Sequence, residues 1–383
     1  MPRTTADTLV IGAGVFGAWT ALALRRAGHS VLLVDAYGPG NSRASSGGET
    51  RIIRTAYGAD ELYTRWAIAS LARWKQLAEE TRSTIFLRTG VLWLADDADA
   101  YSRTSFDVVK RNGVAVEEMK RAELARRYPQ FALDDVTWGF LEGESGVLMA
   151  RRGVRALVER AAALGVEFRQ AAVEPPGAVG RLDAVRTRDG HQLSAGTYLF
   201  ACGPWLPRLF PELLGARIFP TRQEVFFFGA PAGDTRFRPP AMPTWLRHAE
   251  DVYGMPDVEN RGVKISLDRH GEAFDPDTGS RVVSQNSADA MRAVVARRLP
   301  ALANAPIVET RVCQYENTSS GDFLIDRHPE WTNVWLVGGG SGHGFKHGPM
   351  VGEYVASTVA GSGAPEPRFA LAAKKTVRAR AVY

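Results

Sequence analysis

The chain has 383 residues, 45% of them hydrophobic and 23% charged, so it can bury a sizeable core without staples. Its two cysteines, Cys202 and Cys313, exclude a disulfide framework and a four-cysteine zinc site, and no metal is expected. The net charge of +5 comes from 47 basic against 42 acidic residues, mostly dispersed, which argues against nucleic acid as a partner.

The nearest basic cluster, Lys374, Lys375, Arg378 and Arg380, reads as a solvated C-terminal arm. No apolar run approaches the ~18 to 20 residues that span a bilayer, so no membrane partner is expected. The apolar stretch behind Arg3 is broken by Gly12, Gly14 and Gly17, and no cleavage site follows. The ending Ala381-Val382-Tyr383 is no organelle address, and cytoplasmic residence is expected.

In chain order, residues 8–11 form an apolar strand, 16–27 a helix rich in Ala and Leu that Gly28 stops, and 30–34 a second strand. Strand, helix, strand with short connections is a βαβ unit and implies a parallel sheet. Residues 62–80 carry Leu62, Trp66, Ile68, Ala69, Ala72 and Leu77 at helical spacing. Val91-Leu92-Trp93-Leu94 marks a strand within 88–95, and 154–164 an amphipathic helix.

Strands are expected at 166–170, 182–187 and 192–194, with Asp189-Gly190 as the turn between the last two. A short strand at 198–201 ends at Cys202-Gly203-Pro204; 225–228 and 263–267 belong to a β-rich middle. A late strand at 334–337 leads into a glycine-dense loop and a helix at 349–360. The fold class is therefore α/β, or α+β overall: a Rossmann-like dinucleotide domain interleaved with a mostly antiparallel sheet domain. The boundaries expected are 1–88, 145–218 and 315–383 for the first, and 89–144 and 219–314 for the second.

Gly12-Ala13-Gly14-Val15-Phe16-Gly17 fits the G-x-G-x-x-G fingerprint. Gly12 permits the tight turn, Gly14 the approach of a pyrophosphate, and Gly17 close packing of helix on strand. The helix start offers free N–H groups to the anion. Asp35 ends the next strand, where a ribose hydroxyl is held, and favours NAD or FAD over NADP. A second cradle, Gly338 to Lys346, again lies between strand and helix. Two cradles so far apart suit a long cofactor threaded through the domain, such as FAD.

These motifs, in order, resemble the amine-oxidising flavoenzymes of the monomeric sarcosine oxidase family, which includes N-methyltryptophan and pipecolate oxidases. They are the fingerprint with Asp35-Ala36, the stretch Gly48-Glu49-Thr50-Arg51-Ile52-Ile53-Arg54, and Ala201-Cys202-Gly203-Pro204-Trp205. Val312-Cys313-Gln314-Tyr315, Phe323 to Pro329, and Ser341-Gly342-His343-Gly344-Phe345-Lys346 follow.

The resemblance implies FAD held covalently through Cys313, with Cys202 a packing residue. It implies cofactor contacts also at Ser45, Thr50, Arg51, Val173, Ala201, Gly203, Trp205, Gly342, His343, Gly344, Phe345 and Lys346, with His343 mainly structural. Arg54 and Lys346 are implied to hold a substrate carboxylate; an ion pair of Arg54 with Glu49 is the alternative. Lys264, a lysine inside an apolar strand, is implied to face the flavin and assist oxygen reduction electrostatically. Tyr253 and Tyr315 are implied to be pocket aromatics.

Departures narrow the substrate. Ser46-Gly47 stand where sarcosine oxidase has two histidines, and Asp268 stands where it has a third. Their loss removes candidate bases and widens the pocket, so sarcosine itself is disfavoured and a bulkier or cyclic amino acid favoured. The reaction expected is FAD-dependent oxidation of the C–N bond of a secondary amino acid, giving an imine and hydrogen peroxide. The expected partners are that amino acid and oxygen, in a monomer or small homo-oligomer; a dehydrogenase with another acceptor, or a biosynthetic tailoring oxidase, is the alternative.

Overall fold

The computed structural model describes residues 5–177 and 180–377; Arg3, Arg378, Arg380 and Ala381 to Tyr383, named above, lie outside the described residues. The expected βαβ unit is present as the strand Thr5–Ile11, the helix Val15–Arg26 and the strand Val31–Asp35. Thr5–Ile11 pairs in parallel with Val31–Asp35 on one side and with Gln192–Phe200 on the other. The seven-stranded sheet runs Leu324–Arg327, Val334–Gly338, Gln192–Phe200, Thr5–Ile11, Val31–Asp35, Glu167–Gln170, with Val185–Arg186 attached to Gln192–Phe200. Its central strands end at Gly12 and Ala201, so the crevice at their carboxyl ends is where a dinucleotide sits in such a sheet.

The β-rich middle forms a second sheet of eight strands: Ile307–Asn317, Phe219–Phe228, Val263–Leu267, Val252–Met255, Thr244–Arg247, Val91–Ala95, Trp138–Glu142, Val116–Lys120. All its pairings are antiparallel except Thr244–Arg247 with Val91–Ala95. Thr50–Ile53, Gly146–Met149 and Phe86–Leu87 make a small third sheet. The helix Val15–Arg26 packs on the last helix, Gly348–Val359, where Gly352 lies against the backbone of Trp19.

Several elements differ from expectation. Residues 192–194 and 198–201 belong to one strand, Gln192–Phe200; its polar centre stays extended because Ser194, Ala195 and Thr197 keep ladder positions opposite Thr5, Ala6 and Thr8. The strand expected at 182–187 shrinks to Val185–Arg186. The helices Ala100–Arg111 and Gln285–Arg298 were not expected, because polar residues make up half or more of each. Their legible signals are the N-caps: Asp99 accepts from Ser102 N at 3.0 Å and Ser284 from Ser287 N at 3.1 Å.

Lys374 corrects the reading of a solvated arm. It is buried, and its amine donates to the carbonyl of Arg368; burial lowers its pKa to about 8. Lys375 is exposed. Among the described residues no helix is long and apolar enough to cross a membrane.

A Cβ at Gly17 would stand 1.9 Å from the carbonyl oxygen of Gly12, whereas one at Gly143 would meet nothing within 4 Å. Gly17→Ala is therefore expected to cost ~2 kcal/mol or more in chemical unfolding, and Gly143→Ala less than ~0.5 kcal/mol. Equal midpoints for the two variants would contradict the close packing of helix on strand.

Candidate active site

The first glycine of the fingerprint has φ +106°, and a Cβ there would lie 2.3 Å from the Ala201 carbonyl oxygen. Both facts demand glycine. Asp35 ties this loop together: Oδ2 accepts from Ala13 N and Oδ1 from Tyr37 N, each at 2.8 Å. Burial raises its pKa, and the amides of Tyr37, Ala13 and Gly38 oppose the rise. Ser46 Oγ accepts from Val15 N at 3.1 Å, at the start of the helix.

A cavity of about 320 Å³ opens beside this loop, lined by Gly12, Asp35, Ala36, Val173, Cys202 and Trp205 among others. It meets a second cavity of about 90 Å³ at Gly14, Ala201 and Gly203. Val15, Phe16, Ser45, Glu316 and Gly344 also line the second. That one meets a third, of about 100 Å³, at Arg51, Tyr315, Gly342 and Phe345. Sharing these walls, the three cavities follow one another from Asp35 to Lys346.

Midway along it, two buried oxygens, Ser45 Oγ and Glu316 Oε2, have no hydrogen-bond partner. Glu316 Oε1 accepts from Gly340 N at 3.3 Å, and burial lifts the carboxyl to about 7. Buried polar atoms require partners, and a flavin dinucleotide, with ribityl hydroxyls and a pyrophosphate, supplies donors and acceptors at that depth. The cleft fits FAD.

The inner pocket is built on one face of the eight-stranded sheet. Side chains alternate along a strand, so Cys313 and Tyr315 share a face, as do Lys264 and Asp268. Register places Gln223 opposite Cys313, and Tyr253 opposite Ser266. Cys313 is 7% exposed, and its sulfur accepts from Arg51 Nη2 at 3.2 Å. Arg51 also donates to Ser45 O at 2.7 Å and Thr50 O at 2.9 Å. Lys264 Nζ donates to Thr50 O at 2.8 Å and Oγ1 at 3.3 Å. Burial, and then the Arg51 guanidinium, push its pKa well below the usual lysine range. Burial lifts Tyr253 to about 12.

Arg54 and Lys346 line this pocket together. The Arg54 guanidinium lies 4.4 Å from the ring centre of Tyr57 and 5.2 Å from that of Trp93, and donates to Ala56 O. Glu49 pairs instead with Arg151, Arg261 and Arg311, at 3.2 to 3.4 Å. Lys346 Nζ donates to Tyr57 OH at 2.6 Å and His343 O at 3.2 Å. Burial and Arg54 push its pKa well down. Behind it, His347 Nε2 lies 2.8 Å from the same hydroxyl. The His343 ring stacks on Phe323 and its Nε2 lies 3.0 Å from Gly321 O, which suits a loop-holding residue. Cys202, partly buried, packs against the core and lines the first cavity.

The lost histidines do not leave the pocket without titratable groups. Asp268 and His248 both line it. Asp268 Oδ1 accepts from Tyr315 OH at 3.0 Å, and burial lifts the carboxyl to about 6. His248 stacks on Tyr101 with centroids 3.9 Å apart, and burial lowers its pKa. Asp268 was legible as a group on the Lys264 face by period-two alternation; His248, Tyr57 and Glu316 had no local signal. Glu142, fully buried, organises the segment that carries Arg54. It accepts from Thr55 N at 2.6 Å, Thr55 Oγ1 at 2.7 Å, Ser145 Oγ at 2.8 Å and Trp93 Nε1 at 2.9 Å. Among the described residues no cluster of three or more His, Cys, Asp or Glu could hold a metal.

A Rossmann-type cradle, a flavin-length cleft and a buried basic pocket define a flavin-dependent oxidoreductase. The chain belongs to the family described as DAO, FAD dependent oxidoreductase, which matches residues 7–358. It is 32% identical over 358 residues to monomeric sarcosine oxidase of Bacillus sp. (strain B-0618), covering 91% of this chain and 90% of that one. It is 28% identical to N-methyl-L-tryptophan oxidase of Salmonella newport (strain SL254), over 93% of this chain and 95% of that one. The solved structure of L-proline dehydrogenase from P. horikoshii shares the fold, with TM-score 0.82, 20% identity, and 97% and 98% of the two chains covered.

Replacing Glu142 by leucine would strand the four donors it receives. Glu142→Leu is expected to lose ~3 kcal/mol of stability, read from denaturant midpoints at constant slope, with Glu142→Gln between it and the parent. A Leu variant as stable as the parent would contradict this role.

Proposed function

We propose that this FAD-dependent enzyme oxidises the C–N bond of a secondary amino acid, N-methylated or cyclic, to an imine, with oxygen as acceptor and hydrogen peroxide as product. The observation that carries the reading is the buried pair Arg54 and Lys346, in the same pocket as Cys313. Two relatives are by name oxidases of sarcosine and N-methyl-L-tryptophan, both N-methylated amino acids. Ser46-Gly47 and Asp268 favour a substrate other than sarcosine.

FAD, held in this cleft, would supply the hydride acceptor. Arg54 presents a planar fork to the substrate carboxylate, and Lys346 adds a point charge. An arriving carboxylate offsets the desolvation that pushes Lys346 toward its neutral form. Tyr57 and His347 hold Lys346 in place from behind. Fixing the carboxylate places the amine; reacting atoms held ~3 to 3.5 Å apart account for much of the rate. Ser45, Thr50, Arg51, Gly342 and Phe345 line or brace the cofactor cleft, and Cys313 is its covalent anchor. Lys264, on the Thr50 side, assists oxygen reduction through a bridging water.

Two measurements test this. After acid precipitation, yellow colour is expected in the pellet for the parent and in the supernatant for Cys313→Ala; free flavin from the parent would remove the covalent anchor. Lys264→Met is expected to slow reoxidation by oxygen ~100-fold or more while leaving anaerobic reduction by an N-methyl amino acid nearly unchanged. A parent enzyme that oxygen barely reoxidises would point to a different electron acceptor.

A further inference from the structure

The clamp of Arg54 and Lys346 accounts for one end of an amino acid. In water the other end is an ammonium, which has no lone pair to support oxidation and must lose a proton first. Two positive groups beside it favour that loss but do not receive the proton.

Asp268 stands in the same pocket. It follows the strand Val263–Leu267 directly, and its backbone N–H is held by Asp251 O at 2.6 Å. Tyr315 fixes Oδ1 at 3.0 Å, while Oδ2 accepts no hydrogen bond from any described residue. The groups that act on it are the Tyr315 hydroxyl, Arg54, Lys346 and Asp251; Tyr253 and His248 line the cavity with it, and Arg269 follows it in the chain.

Resting on the function proposed above, we propose that Asp268 is the counter-charge for the substrate ammonium and the acceptor of its proton. One ammonium N–H bond breaks, an O–H bond forms at Oδ2, and the electron pair stays on nitrogen. The products of the step are a neutral amine and a neutral carboxyl, and the carboxyl then releases its proton to water at the side lined by Asp251 and His248. The pocket thus selects zwitterions, offering the basic pair to the carboxylate and the acid to the ammonium. Burial lifts the Asp268 carboxyl to about 6, while Tyr315, Arg54 and Lys346 hold it from rising further. It is therefore mostly ionised at neutral pH and loses its capacity to accept a proton as pH falls through that value.

The test is anaerobic flavin reduction of the holoenzyme by N-methyl-L-amino acids and L-pipecolate as a function of pH. The parent is expected to lose rate below about pH 6. Asp268→Asn is expected to lack this limb and to be ~100-fold slower at neutral pH, with the gap closing as pH approaches the amine's own pKa, and Asp268→Glu to restore the limb. Tyr315→Phe removes a hydrogen bond that lowers the Asp268 pKa, so its limb shifts to higher pH; this variant serves if Asp268→Asn does not fold.

Independently of turnover, titrations followed by flavin absorbance compare L-proline with cyclopentanecarboxylate, which lacks the ammonium. The parent is expected to prefer proline, and Asp268→Asn to lose that preference by at least ~10-fold, about 1.4 kcal/mol, while binding cyclopentanecarboxylate as before. An unchanged pH profile together with an unchanged preference overturns the proposal. A parent flavin that no amine reduces, with the proline preference intact, overturns the proposed function and leaves the counter-charge standing.

Discussion

Buried positive charge is the constraint around which this molecule is arranged. Arg54, Lys264 and Lys346 are each less than a tenth exposed, and Arg51 lies half-buried beside them. The guanidinium groups cannot shed their protons, and the lysines are pushed toward doing so by burial. The fold meets their N–H groups largely with neutral oxygens: Thr50 O and Oγ1, Ser45 O, Ala56 O, His343 O and Tyr57 OH. Hydrogen bonds are thereby satisfied while much of the charge is left for what enters the cleft. A site of this kind attracts anions, and both a carboxylate and an electron-rich flavin ring are suited to it.

Holding such a site is a matter of architecture. Arg51 and Arg54 lie on or next to the small strand Thr50–Ile53, which lies between the two large sheets; Lys264 and Cys313 come from the eight-stranded sheet, and Lys346 from the turn before the last helix. Glu142 locks the segment after Arg54 by bonding both polar atoms of Thr55. Glu49, gathering Arg151, Arg261 and Arg311, does the same on the other side of Arg51. Each fixes the segment that carries Arg51 and Arg54.

The sequence was legible where the demand is local. The turn at Gly12 needs a glycine whatever the rest of the chain does, and the βαβ unit is complete within 35 residues. The second cradle is legible for the same reason. Cys313 is not: by its own chemistry a lone cysteine is a small hydrophobe, and only the motif around it suggested more. Tyr57 and His347 meet across a separation of 290 residues, so nothing near either announces the pairing. Glu316 has no signal of its own in the sequence, and its orphaned oxygen becomes meaningful only with the cleft around it. Asp268 was noticed as a histidine lost, when its alternation with Lys264 already placed a new acid on the working face.

That alternation ties the two halves of the chemistry together. Lys264 and Asp268 lie four residues apart on one face, about 13 Å along an extended chain. At one end the strand offers a lysine braced by Thr50; four residues on it offers an acid braced by Tyr315, in the pocket that Arg54, Lys346 and Cys313 also line. Cys313 and Tyr315 are themselves alternate residues of one strand, so the spacing on both strands is set by the pleat and not by loop flexibility. A substitution that slipped either strand by one residue would turn its working groups to the opposite face. The same β-register therefore sets the places of both Lys264 and Asp268.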